Sequence, residues 1–193
     1  MESVYIVDDG STDQTFREAK RAGANIIRHP KNRGKGAALK TGFVNIIDHG
    51  HAAVTVLDAD GQHLPEEIPK FIEKFNEGYK FVMGRRDFKS PDVPLHRKIG
   101  NLSYSYLLSL VSGQKIYDSE CGFRLYNADF LPQLINISAL NGFSYESELL
   151  FKLAKSKTKI GWADISTIYF PARVSKIKPL KHLLDCAKVV TRI

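Results

Sequence analysis

The apolar positions of this chain fall into short runs separated by polar turns and spaced helical ladders. Val4 to Val7 is an apolar run that stops at Asp8-Asp9-Gly10-Ser11, the pattern of a buried strand ending in a turn. Thr12 and Asp13 offer helix-capping side chains, and a helix is expected from Gln14 to Ala22, ended by Gly23. A short strand over residues 24–29 follows. A polar, glycine-rich loop, Pro30-Lys31-Asn32-Arg33-Gly34-Lys35-Gly36, then opens into a helix over residues 37–49. Residues 53–57 read as the next strand, closed by Asp58-Ala59-Asp60-Gly61-Gln62. Pro65 begins a helix with Ile68, Phe71, Ile72 and Phe75 on one face, and residues 81–84 are a further strand.

Strands alternating with helices predict an α/β fold with a doubly wound, mostly parallel sheet. In such sheets ligands bind beyond the carboxyl ends of the strands. Both acidic turns sit at such ends. The second half is less regular. It holds a polar loop over residues 85–97, a helix over 98–111 and a loop from Asp118 that enters a strand ending at Tyr126. A helix over 145–155 and a strand over 162–169 follow. A basic loop over 173–181 and an amphipathic helix over 182–193 close the chain.

Composition narrows the class. With 193 residues, 43% hydrophobic and 25% charged, the chain reads as one globular domain over residues 1–193. Collagen-like, disordered and disulfide-framework classes are excluded. The 28 Lys and Arg against 21 Asp and Glu give a net charge of +7, which favours anionic partners. The charge is scattered and no nucleic-acid-binding module is present, so nucleic acid is not an expected partner. Cys121 and Cys186 lack metal or redox spacing, which fits a reduced, cytoplasmic chain.

No apolar run is long enough to span a bilayer, and the N-terminal residues do not form a signal peptide. Membrane contact, if any, is expected to be peripheral, at a cytosolic face. Within the basic segment 176–193, Lys176, Lys178, Lys181, Lys188 and Arg192 surround Leu180, Leu183, Leu184 and Val190. That pattern suits either an interfacial helix on anionic lipid or a terminal helix packed on the domain. Residues 98–111 have the same two readings.

Several residues carry candidate chemistry. Asp58 and Asp60, flanking Ala59, repel each other unless a cation or hydrogen bonds intervene. A hard divalent ion shared with a substrate diphosphate resolves this, with Gln62 as a neutral oxygen donor; a solvated helix cap is the other reading. Asp8 and Asp9 are placed to accept hydrogen bonds from a ribose or a base, or to organise the turn. Lys35 lies at a glycine-rich helix entry whose exposed N–H groups favour an anion, although the spacing is not that of a P-loop. Arg85, Arg86, Arg124 and Arg173 lie near strand ends, as phosphate ligands or as surface charges.

These motifs, in this order, resemble the family 2 glycosyltransferases of the GT-A fold, most of all the dolichol-phosphate mannose synthase and polyprenyl-phosphate glycosyltransferase group. The stretches that carry the resemblance are VYIVDDGSTDQT (4–15), HPKNRGKGAALKTGF (29–43), VTVLDADGQHLPEEI (54–68), VMGRRDF (82–88), DSECGFRLYN (118–127) and FSYESELLFKLA (143–154).

The resemblance implies transfer of a hexose, mannose first and glucose next, from a GDP- or UDP-sugar to a polyprenyl phosphate with inversion. Val7, Asp8, Asp9, Lys35 and the Asp58-Ala59-Asp60 turn would bind the nucleotide sugar. Asp58, Asp60 and Gln62 would surround Mg²⁺ or Mn²⁺. Arg86 would contact a phosphate of donor or acceptor, as would Arg124, Arg173 and Lys176 on the acceptor side. Asp118 and Arg124 would be the catalytic pair of the acceptor loop. An acceptor phosphate is already anionic near neutral pH, whereas a sugar hydroxyl acceptor would need a base, for which Asp118 is the candidate.

The chain departs from the family at three places. A strand that normally precedes the DDGSTD stretch has no counterpart, so the domain is expected to be truncated there, or completed by another segment or a partner chain. The loop after Arg173 is shorter than usual, and the membrane helices often found in the family do not follow. Two other readings stay open: a transferase with a saccharide acceptor, and a non-catalytic, partner-binding remnant.

Overall fold

The computed structural model describes residues 3–47, 49–88 and 93–168. Arg173, Lys176 and the expected C-terminal loop and helix lie outside the described residues.

Among the described residues, six strands and six α-helices follow one another in the order β1 (Tyr5–Asp8), α1 (Thr15–Arg21), β2 (Asn25–Arg28), α2 (Lys35–Ile47), β3 (Ala53–Val56), α3 (Ile68–Asn76), β4 (Phe81–Arg86), α4 (Leu95–Ser112), β5 (Arg124–Asn127), α5 (Leu131–Asn136), α6 (Ser144–Lys155) and β6 (Ile160–Ile165). Single 3₁₀ turns at Pro65–Glu67 and Ala128–Phe130 lead into α3 and α5. The first strands and helices lie close to their expected places. Asp13 fixes the start of α1 by accepting hydrogen bonds from the N–H and hydroxyl of Thr15. β4 runs two residues further than the apolar block, because Arg85 and Arg86 continue its ladder with β6. Residues 128–137, not assigned to an element by pattern, form the turn and short helix of α5.

The sheet is mixed. β1 and β2 form a parallel pair, and a separate sheet has the order β3-β5-β4-β6. β4 and β6 are parallel, whereas β5 runs antiparallel to both β3 and β4. The reason lies in residues 118–123. This loop is held at the carboxyl end of β4, where Gly84 N–H donates to Phe123 C=O and Arg86 meets Asp118. β5 therefore starts where β4 ends and must run back along it.

Alternation of side chains across the buried strands builds two cores. Phe81, Met83 and Tyr126 face one cluster with Phe43 of α2, Leu134 of α5 and Leu149 and Leu150 of α6. Val82, Leu125 and Phe123 face the other with Phe71 of α3 and Ala163 and Ile165 of β6. Phe71 stacks on Phe123 with ring centroids 4.1 Å apart. Burying a side chain of this size stabilises the fold by about 1.5–3 kcal/mol. The β1–β2 pair joins this body through α2, which packs on β1 as well as on α5 and α6. β1 and β3 are mostly half-buried along their length, unlike the enclosed β4.

Candidate active site

The carboxyl ends of β1, β3 and β4 carry the polar residues singled out by pattern, and two loops connect them. The first is the segment 29–34. Its keystone is Asp9, whose Oδ1 accepts from Arg33 N–H at 2.9 Å and whose Oδ2 accepts from Gly34 N–H at 2.8 Å. His29 Nδ1 lies 2.6 Å from Asp9 Oδ1, and its Nε2 reaches the Thr41 hydroxyl at 2.9 Å. Burial alone would raise the Asp9 pKa, but the His29 and backbone hydrogen bonds outweigh it and hold the carboxyl below its usual range. Gly34 adopts φ +97°, and a β-carbon there would lie 2.4 Å from the Asn141 carbonyl oxygen, so only glycine lets this loop close on the 138–142 segment.

Asp8 is fully enclosed beside it. Its Oδ1 accepts from Ser11 N–H, and Arg28 Nε lies 3.0 Å from Oδ2. Val7 faces α2 near Gly42. Asp8 and Asp9 thus have a first task in shaping the turn and the loop that delivers Lys35.

Lys35, the first residue of α2, is the centre of the site. Its ammonium lies 2.6 Å from Asp58 Oδ1 and 2.7 Å from Glu146 Oε2. Burial disfavours charge on Lys35, but Glu146 and Asp58 more than offset it, so its pKa lies above the ordinary value. The same pairing holds Asp58 below the usual carboxylate range despite its burial. The turn after β3 is braced by His63, whose Nδ1 accepts from Asp58 N–H, and by Gln62 N–H donating to Asp60 Oδ1. Gln62 Nε2 donates to Ile168 C=O. Ala59 at the tip is exposed.

The second loop, 118–123, closes over Asp58. A β-carbon on Gly122 would lie 2.4 Å from Asp58 Oδ2 and 3.0 Å from Lys35 Nζ, so the glycine is what allows the backbone to approach the carboxylate. Asp118 is fully buried and its carboxylate is filled: Arg86 donates through Nε at 2.7 Å and Nη2 at 2.9 Å, and Asn101 Nδ2 donates at 2.7 Å. Arg85 turns away to Asp164 and to the face of Tyr117.

Two residues expected in catalysis are buried. Arg124, expected on the acceptor side and in catalysis, is 1% exposed and donates to the carbonyls of Cys121, Glu146 and Ser119. It locks the loop to α6 and has no access to an acceptor phosphate. Asp118, the candidate base, is enclosed and matched to Arg86. Both lie beneath the rim, because strand β5 and the loop before it fold inward.

Glu146, His63 and His29, which pattern reading missed, contact Lys35, Asp58 and Asp9. Glu146 lies within the 143–154 stretch, where an acidic residue in the first turn of a helix reads as a favourable dipole contact. Only the fold carries it to Lys35. The six histidines have no shared spacing in the sequence.

The donor set fits a hard divalent cation that arrives with a diphosphate. It consists of oxygens from one short turn, and no group of three or more His, Cys, Asp or Glu that could hold a metal ion occurs among the described residues. Asp58 and Asp60 would be its protein ligands.

The chain belongs to glycosyl transferase family 2, whose family model matches residues 3–135. It is a glycosyltransferase with a mixed α/β fold of the GT-A type. It is 33% identical over 190 residues to the UDP-N-acetylglucosamine–dolichyl-phosphate N-acetylglucosaminyltransferase of Methanococcus voltae, an alignment covering 87% of this chain and 75% of that relative. It is 27% identical over 166 residues to the undecaprenyl-phosphate mannosyltransferase of Micrococcus luteus, covering 81% and 68% of the two chains. Among solved structures, it superposes on glucosyl-3-phosphoglycerate synthase from Mycobacterium tuberculosis, crystallised with Mn²⁺, UDP and phosphoglyceric acid. The TM-score is 0.71 at 19% identity, over 98% of this chain and 66% of that one.

Proposed function

We propose that this glycosyltransferase moves a hexose-type sugar from a nucleoside diphosphate to the phosphate of a polyprenyl phosphate, with inversion at the anomeric carbon. The observation that carries this reading is the pairing of three of the site's carboxylates with cations. Lys35 holds Asp58 and Glu146, and Arg86 holds Asp118. Asp58, held by Lys35, stays below the usual carboxylate range and is a poor proton acceptor, which disfavours a hydroxyl nucleophile. An acceptor phosphate brings its own negative charge and needs no base. Its oxygen would form the new bond to the anomeric carbon, and the electron pair of the old bond would leave with the diphosphate.

The protein's part is then positioning and electrostatics. Asp9 and the 29–34 loop would frame the nucleoside side of the donor, and Lys35 would set the charge of the turn. Asp58 and Asp60 would hold Mg²⁺ or Mn²⁺, whose chemistry is to neutralise the diphosphate as it leaves. Arg86, part-exposed and held by Asp118, would contact a phosphate. Arg173 and Lys176 remain candidates on the acceptor side. The relatives support the acceptor class, since two of them are named for transfer to dolichyl or undecaprenyl phosphate. The N-acetylglucosaminyl relative favours UDP over GDP as the donor base and brings N-acetylglucosamine alongside mannose and glucose.

Among the described residues the two sheets are not hydrogen-bonded to each other, β1 pairs only with β2 and β3 only with β5. A further strand, from another segment or a partner chain, would complete the nucleotide side. The work site would be the cytosolic face of a membrane, where the acceptor lipid resides.

The test is transfer from labelled UDP- and GDP-sugars to a short-chain polyprenyl phosphate, to the matching polyprenol and to free saccharides. Product with the phosphate alone is expected. Product with a saccharide, and none with the phosphate, would overturn the reading.

A further inference from the structure

Two carboxylates share the Lys35 ammonium, and their surroundings differ. Asp58 stands on the open side, its side chain 35% exposed. Glu146 stands on the closed side, its side chain 9% exposed. An ion arriving from solvent therefore meets Asp58 before Glu146.

Glu146 is also firmly placed. The starts of α2 and α6 are locked together. Ala37 N–H donates to Asn141 C=O at 3.1 Å, and a β-carbon on Gly36 would lie 2.6 Å from Tyr145 Cβ, so the glycine is what lets the two helices meet this closely. Arg124 Nη1 donates to Glu146 C=O at 3.1 Å and pins the backbone of that residue. The Glu146 carboxylate itself is only half used. Its Oε2 lies 2.7 Å from Lys35 Nζ, whereas its Oε1 is buried and accepts no hydrogen bond among the described residues. Arg124 Nε lies 3.8 Å from Oε1, beyond hydrogen-bond reach. A buried carboxylate oxygen without a donor carries a free-energy cost. The Lys35 ammonium, already on the neighbouring oxygen, can supply that donor by a turn of its flexible stem.

A divalent cation held by Asp58 and Asp60 would claim the carboxylate that Lys35 now neutralises, and the two like charges would repel. We propose that Glu146 is the second seat of Lys35: the ammonium leaves Asp58 when metal and diphosphate arrive and closes onto both oxygens of Glu146. No covalent bond changes in this move, and both partners keep their charge. Lys35 is then a resident counter-ion that shapes the turn after β3 until the metal takes over. Glu146 touches neither metal nor donor; it is a positioning residue that acts through Lys35. The inference rests on the reading of Asp58 and Asp60 as metal ligands.

The experiment is titration of Mn²⁺ into the full chain with UDP present, and with GDP in a parallel series. Free Mn²⁺ is read by its electron paramagnetic resonance signal, so binding is measured without transfer. Glu146→Gln in the wild-type background should weaken Mn²⁺ binding about tenfold, the size usual for a residue that orients a metal site from behind. Lys35 would lose its second seat and stay on Asp58. In a Lys35→Met background the same substitution should change binding less than about twofold, because no lysine is left to move. Glutamine keeps the size of Glu146 and one acceptor oxygen for Lys35, and a cooperative thermal transition in each variant establishes folding. Where Lys35→Met does not fold, Lys35→Gln takes its place, an uncharged side chain that can still donate to Glu146. Normal Mn²⁺ binding by Glu146→Gln would overturn the proposal. So would an equal loss in both backgrounds, which would mean that Glu146 acts through its charge or through the fold. A wild-type chain that takes up no Mn²⁺ with either nucleotide would remove the metal reading itself, and the second seat with it.

Discussion

Lys35 Nζ lies 2.6 Å from Asp58 Oδ1, so the first residue of α2 neutralises the turn that follows β3. The lysine occupies the place of a counter-ion between Asp58 and Glu146. Lys35→Met should leave these two carboxylates facing each other without a cation, at a cost of roughly 1–3 kcal/mol. The same variant should gain more stability from added Mn²⁺ than the wild type, because the metal would supply the missing charge. Thermal unfolding with and without Mn²⁺ measures both effects. An equal metal response in the two proteins would mean that a metal does not reach Asp58.

Asp60 should matter for ligand and little for folding. Saturation with a nucleotide at 100 times its Kd should stabilise the wild type by about 2.7 kcal/mol. Asp60→Ala, or removal of divalent metal with EDTA, should abolish that gain while the ligand-free transition stays in place. Thermal scans with UDP and GDP read the metal dependence and the preferred base together.

Arg124 makes the opposite prediction. Arg124→Ala would leave the carbonyls of Cys121, Ser119 and Glu146 without their buried donor, and the Glu146 carboxylate without its nearby guanidinium. A loss of about 3–5 kcal/mol is expected in urea unfolding. A variant with normal stability and lost turnover would return Arg124 to catalysis.

His63 sets a pH dependence. Burial disfavours its charged form and outweighs the nearby Asp58 and Asp60, so its pKa lies below the ordinary value of 6.5. The unfolded chain then binds more protons in the interval between the two values, and stability rises with pH there. The contribution should be complete above about pH 6.5 and decline as pH falls towards the folded pKa. His63→Asn keeps an acceptor for Asp58 N–H and removes the titration. Its stability should be flatter between about pH 5 and 7, a range above the carboxylates that are held low. Identical pH profiles would assign the dependence to another group.

The strand–turn signals of the first half were legible because apolar runs broken by Asp and Gly admit few structures. Asp8, Asp9, Asp58 and Asp60 stand at strand ends, as their pattern requires. The mixed sheet was not legible. The direction of β5 depends on where the loop 118–123 is held, and that is fixed by Arg86 and Gly84 on another strand.

The sequence by itself determined the family, the α/β class and the positions of the acidic turns, because these depend on local patterns and short motifs. Only the tertiary structure decided which charges meet. Glu146 reaches Lys35 across more than a hundred residues, Asp118 is closed off by Arg86 and Asn101, and Arg124 is spent on backbone carbonyls. A carboxylate's chemistry depends on burial and on the nearest cation, and both are properties of packing rather than of spacing along the chain.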